Sequence, residues 1–242
     1  IVVAGRFYKP FALFARFSMP DPHRIGVMLR LGMPIGFSYL IEVTSFTFMS
    51  LFIARLGTEA LAGHQIVANI GTVIYMVPLS LSIATMTLVS QSIGANKQAR
   101  AEQIGWSSVF FTTTACAVIG LAAWFFRTEL LHLYDPPEEV KQFAIPLFLF
   151  IAFYQIFDAL QVSAAFILRA YRIAFWPMLI YAVSLWGVGL GGGYMLGFNI
   201  TGNVPLALQG ASGFWAANSI SLGVAAIFLL PRLFLPLSID GK

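Results

Sequence analysis

Charge is what this sequence has least of. Charged side chains make up 10% of its 242 residues, against about 25% in a soluble domain. Hydrophobic residues make up 59%, and mean hydropathy is +0.83. A soluble fold of this length would leave much of that apolar surface in water, so composition excludes an ordinary soluble domain and predicts a polytopic membrane protein. Cysteine is nearly absent as well. Cys116 stands alone, which excludes a disulfide framework and a cysteine-rich zinc site; in its apolar segment it reads as a small buried hydrophobe. The sequence holds no HExxH, no GxGD and no metal-binding histidine cluster, so no enzyme activity and no cofactor are expected. The net charge is +4. No basic, aromatic-interleaved patch goes with it, and nucleic acid is not an expected partner. The opening "IVVAG" has no charged flank or cleavage site and does not read as a signal peptide. It reads as the end of an earlier apolar helix, which makes the chain the expected C-terminal part of a longer one.

What the sequence does have is long apolar runs. Crossing a bilayer takes about 20 such residues in a helix. Six stretches qualify, at 27–54, 61–90, 104–126, 140–168, 174–198 and 211–231. The fold class expected is an all-α membrane protein, a six-transmembrane-helix bundle. Polar, Gly- or Pro-containing connectors separate the spans. In "RTELLHLYDPPEEVK" (127–141), Asp135 reads as an N-cap with Pro136 at N1 and Glu138 at N3. Pro34, Pro78, Pro146 and Pro177 fall inside spans and tend to kink them. In "WGVGLGGGYMLG" (186–197), Gly187/Gly191 and Gly189/Gly193 have GxxxG spacing and are expected to pack helices closely. His64, near the outer end of its span, is expected to be a packed residue rather than a proton carrier.

Basic residues set the orientation. One set of connectors and ends holds Arg6, Lys9, Arg16, Arg24, Arg30, Lys97, Arg100, Arg169, Arg172, Arg232 and Lys242, while the other holds only Arg55, Arg127 and Lys141. The rich side is expected to be cytoplasmic, C-terminus included. The organisation expected is 1–26, the end of a preceding helix and an inter-lobe linker; 27–235, the six-helix lobe; and 236–242, a cytoplasmic tail.

Of the ten acidic residues, only Glu42 and Asp158 fall inside spans. Each costs about 2.5–3.5 kcal/mol if charged at mid-membrane. Glu42 follows Arg30 by 12 residues and Asp158 precedes Arg169 by 11, roughly 18 Å and 16–17 Å along a helix. Two oppositely directed helices thus bring a carboxylate to the same depth. Tyr154 lies one turn before Asp158, with Gln161 three residues after it. Ser38 lies one turn before Glu42, and Gln65, Asn69 and Thr72 line one face of the second span. A polar pocket among the first, second and fourth spans is expected, of a chemistry that suits a proton or a hard monovalent cation.

Three quoted stretches carry a resemblance. They are "LGMPIGFSYLIEVTSFTFMSLFIARLGTEALAGHQIVANI" (31–70), "VPLSLSIATMTLVSQSIGANKQARA" (77–101) and "FYQIFDALQVSAAFILRAYR" (153–172). In order and spacing they resemble the C-terminal half of multidrug and toxic compound extrusion (MATE) transporters of the NorM type, over nearly the whole chain. The resemblance implies one lobe of a twelve-helix transporter, with the missing N-terminal six-helix lobe as partner. It implies antiport of small organic, often cationic substrates against Na⁺ or H⁺ in the bacterial inner membrane. It also implies a cation site at Glu42, Asp158 and Tyr154, which would ligate Na⁺ if sodium is the coupling ion. Gln65, Asn69, Gln161 and Ser38 are candidates for lining the substrate cavity. A lipid-linked saccharide flippase of the same broad group is the alternative, but no Lys or Arg lies at mid-span to hold phosphate.

Overall fold

A computed structural model describes residues 21–233 of the chain. The expected end of a preceding helix, most of the linker and the tail at 236–242 lie outside them.

Among the described residues eight α-helices follow one another: α1 (Pro22–Ala54), α2 (Thr58–Gly94), α3 (Gln98–Phe125), α4 (Arg127–His132), α5 (Glu138–Ala170), α6 (Phe175–Tyr181), α7 (Gly192–Gly197) and α8 (Ala211–Leu229). A π-helical stretch, Ala182–Gly191, joins α6 to α7, so that Phe175–Gly197 forms one rod. This rod, α1, α2, α3, α5 and α8 with its short extension to Leu233 are each long and apolar enough to cross a membrane. The described residues form a six-span, all-helical membrane bundle.

Local chemistry sets the helix ends. Asp21 caps α1 by accepting from the backbone N–H of His23 and Arg24 at 3.0 and 3.5 Å, with Pro22 at the first helical position. The helix begins inside the stretch expected to be linker. The expected cap of α5 is corrected. Asp135 has φ +41° and does not cap; Pro137 takes the N-cap position without a side-chain cap, and the helix starts at Glu138. The reason is the second proline, because a residue preceding proline is pushed out of the α region, which bars Pro136 from the first turn. Glu138 and Glu139 then sit where the helix dipole favours acids. Pro34, Pro78 and Pro146 lie within continuous helices, and Pro177 falls in the first turn of α6, where no N–H is missed.

At the centre stands α5, which packs on α2, α3 and α8. Glycines permit its close approaches. A Cβ on Gly63 would stand 3.1 Å from the backbone N of Ala144, and one on Gly120 would stand 3.2 Å from Cα of Ala152. Two apolar cores form, one around Val89, Val109, Leu168 and Leu229, the other around Met49, Val67, Phe148, Ile151 and Trp215. Tyr154 packs against both. Buried polar side chains gather beside it on α5: Gln155, Asp158, Gln161 and Ser163. By contrast α1 is peripheral, touching α2, α6 and the π-helical stretch. Gaps beside it become the cavity.

Candidate functional site

Tyr39, Glu42, Val43, Phe46, Thr47 and Ser50 form one stripe of α1 at helical spacing. Ala68, Gly71, Thr72, Tyr75, Leu79 and Ile83 form the facing stripe of α2, and together with Tyr154 of α5 and Trp215 of α8 they enclose a cavity of about 520 Å³. The expected pocket joined the first, second and fourth spans; the sixth contributes as well.

Glu42 lines this cavity and accepts from the Tyr75 hydroxyl at 3.4 Å. Asp158 sits behind Tyr154 and is only 1% exposed. Its Oδ1 accepts from Gln161 Nε2 at 2.9 Å, while its Oδ2 has no hydrogen-bond partner. Two further buried oxygens on the same helix are also unpaired, Gln155 Oε1 and Gln161 Oε1. Each is an acceptor, and unpaired buried acceptors cost about 1–3 kcal/mol apiece. A cation or a proton is the ligand that such a set can hold. Glu42 and Asp158 interact electrostatically with each other and with Tyr154 and Tyr75. The three site residues expected from the sequence therefore lie around one region of the bundle, Glu42 and Tyr154 at the cavity wall and Asp158 beneath it.

The remaining expected residues divide. Gln65 and Asn69 line a neighbouring hollow of about 430 Å³ with Ser50, Thr72 and Tyr134, and the Tyr134 hydroxyl donates to Asn69 Oδ1 at 2.7 Å. Gln161 is buried against Asp158 instead of facing the cavity. Ser38 is also buried, with its hydroxyl donating to the Pro34 carbonyl at 2.9 Å.

Sequence reasoning missed Tyr75, Tyr39 and Trp215. Tyr75 had a usable signal, because it lies three residues beyond Thr72 on the polar face of α2. Tyr39 is backed by Arg169, a residue only 9% exposed. Arg169 stacks on Tyr39 and Phe166 at 5.0 and 4.6 Å and donates to the Tyr39 hydroxyl at 3.1 Å. This ties α1 to α5 below Glu42. Trp215 had no local signal.

The model of the MatE family matches residues 34–195, more than half of the chain. This chain belongs to the MatE family. Among curated proteins similar to this MatE chain is the "Probable multidrug resistance protein NorM" of Aromatoleum aromaticum. It is 41% identical over 223 residues, which cover 92% of this chain and 48% of that protein. The "Multidrug resistance protein PmpM" of Pseudomonas aeruginosa is 33% identical over 229 residues, covering 93% and 47%. The chain thus spans about half the length of the curated relatives it matches. Solved MATE structures share the fold. The Vibrio cholerae transporter VcmN in its bent form superposes with a TM-score of 0.79 at 23% identity, over 90% of this chain and 48% of that one. The eukaryotic transporter AtDTX14 gives 0.82 at 18%, over 94% and 52%.

Proposed function

We propose that this MatE chain is the C-terminal six-helix lobe of a multidrug efflux antiporter. In this reading it works with an N-terminal six-helix lobe in the cell membrane, the inner membrane of a bacterium. Na⁺ or H⁺ moving inward drives organic, often cationic compounds out. The excess of basic residues on one set of connectors and ends supports a cytoplasmic C-terminus.

One observation carries the cation site: Asp158, buried at mid-bundle, keeps a carboxylate oxygen unpaired within electrostatic reach of Glu42. The antiport follows from competition. An organic cation in the cavity meets the Glu42 carboxylate and the ring faces of Phe46, Tyr154 and Trp215, which attract positive charge. Arrival of the coupling cation at Glu42 and Asp158 neutralises that attraction. The substrate leaves on one side, the lobes rock, and the cation leaves on the other. A flippase for lipid-linked saccharides fits less well, since among the described residues neither Lys nor Arg lines the cavity.

Efflux tests this reading. With the chain paired to its N-terminal half in proteoliposomes, Asp158→Asn is expected to abolish cation-driven ethidium efflux; normal efflux in that variant sinks the assignment. Carbodiimide labelling of Asp158 at fixed pH with and without Na⁺ distinguishes the coupling ions. Protection by Na⁺ names sodium, and labelling that follows pH alone names the proton.

A further inference from the structure

Four rings from four helices meet at the cavity wall. Phe46, Tyr154 and Trp215 face the cavity, and each lies edge-on to the other two, with centroids 5.7–6.4 Å apart. His64 lies behind them, fully buried, stacked on Phe46 at 6.1 Å and tilted against Trp215 at 5.9 Å. No part of the antiport reading uses this histidine.

Its hydrogen bonds have a definite direction. The Trp215 indole N–H can only donate, and it points at His64 Nδ1 at 3.1 Å. Nδ1 is therefore the acceptor, and Nε2 carries the proton. Nε2 lies 2.9 Å from Ser50 Oγ and donates to it. The Ser50 hydroxyl donates in turn to the Phe46 carbonyl at 3.1 Å. A single chain of donors thus runs from α8 through α2 to the backbone of α1, with every member satisfied. It holds the indole and the Phe46 turn at fixed spacing, and it occupies both ring nitrogens.

We infer that His64 is a positioning residue, locking Trp215 and Phe46 into a rigid wall on which a planar aromatic cation stacks during transport. The wall suits that class of ligand, because ring faces attract delocalised cations and a preformed site loses little entropy on binding. This inference rests on the efflux reading for its ligand, but its test does not depend on transport.

The chain, paired with its N-terminal half, is placed in nanodiscs and titrated with ethidium, following anisotropy and tryptophan quenching. Saturable binding is expected. Trp215→Phe should weaken it about tenfold and remove most of the quenching. His64→Leu fills the same space but leaves the indole N–H without an acceptor and the Ser50 oxygen without its donor, and should also weaken binding about tenfold. His64→Gln, which can accept at Oε1 and donate at Nε2, should return within about threefold of the wild type. A merely space-filling histidine predicts the opposite order, with Leu tolerated and Gln not. The inference is overturned if His64→Leu binds like the wild type, if Gln fails to rescue, or if the wild-type chain does not bind saturably. Should His64→Leu not fold, Ser50→Ala carries the test: it frees one end of the chain of donors, and unchanged affinity in it overturns the inference. The two proposals fail separately. Ethidium binding through Trp215 alongside normal efflux in Asp158→Asn sinks the antiport reading alone. Loss of efflux in Asp158→Asn with no effect at His64 sinks the positioning role alone.

Discussion

Asp158 shows how far a single residue can be understood from its surroundings. Its burial and unpaired oxygen make it a burden on the fold, since a polar group without a partner costs free energy. Asp158→Asn keeps the shape and removes the charge. The variant is therefore expected to melt a few degrees higher in detergent at neutral pH without Na⁺, even though transport is lost; a lower melting point would mean that the carboxylate is a structural partner. Arg169 makes the reverse case. Two ring faces and a phenol hold its charge. Arg169→Met removes both cation–π contacts and the hydrogen bond, and should cost about 1–3 kcal/mol, read as a lower melting point than that of Arg169→Lys. Much of this residue chemistry was legible in sequence. The expected depth of Glu42 and Asp158 rests on a constant helical rise, and the neighbourhood of Tyr154 and Asp158 follows from the 3.6-residue turn. The inward turn of Ser38 and Gln161 was not legible, because which way a polar side chain faces depends on neighbours from other helices.

Among the elements, the rod Phe175–Gly197 shows the same division. GxxxG spacing marked four glycines as packing surfaces, but only some touch another helix. A Cβ on Gly193 would stand 2.7 Å from a ring carbon of Phe214, and one on Gly189 would stand 3.0 Å from Ser221 Oγ, whereas around Gly187 there is open space. Gly197 continues the contacting row against Phe214. The π-helical stretch between α6 and α7 rotates the register, which is why a count of three and four residues alone does not name the buried face. Gly193→Ala is expected to cost about 1–3 kcal/mol and Gly187→Ala less than about 0.5 kcal/mol, measured by thermal melting. Equal effects would show that α8 does not grip this rod. The cap of α5 gives a smaller lesson. Asp-Pro suggests a helix start, but Asp-Pro-Pro moves it two residues along.

For the whole molecule, the expected sidedness is open to a direct check with the sole cysteine removed. Cys116 is fully buried, so Cys116→Ala is a mild change. In that background Lys97→Cys, in the α2–α3 connector, should react with an impermeant maleimide only from the cytoplasm. Asn203→Cys, between α7 and α8, should react only from outside; labelling of both from one face would refute the six-span alternation. The sequence by itself determined the number of spans among the described residues, because that depends on a local quantity, apolar run length; through the placement of basic residues and the rise per residue it also set the expectations for their sidedness and for the depth of the two acids. Only the tertiary structure decided which faces meet. Trp215 lies 151 residues from His64 and Tyr75 lies 33 from Glu42, and no local pattern encodes such pairings. They arise where helices from distant parts of the chain pack until their buried donors find acceptors. The oxygens left unpaired on α5, like the Thr112 and Thr113 hydroxyls on α3, are places where this packing stopped short, and those around Asp158 are what the proposed cation site rests on.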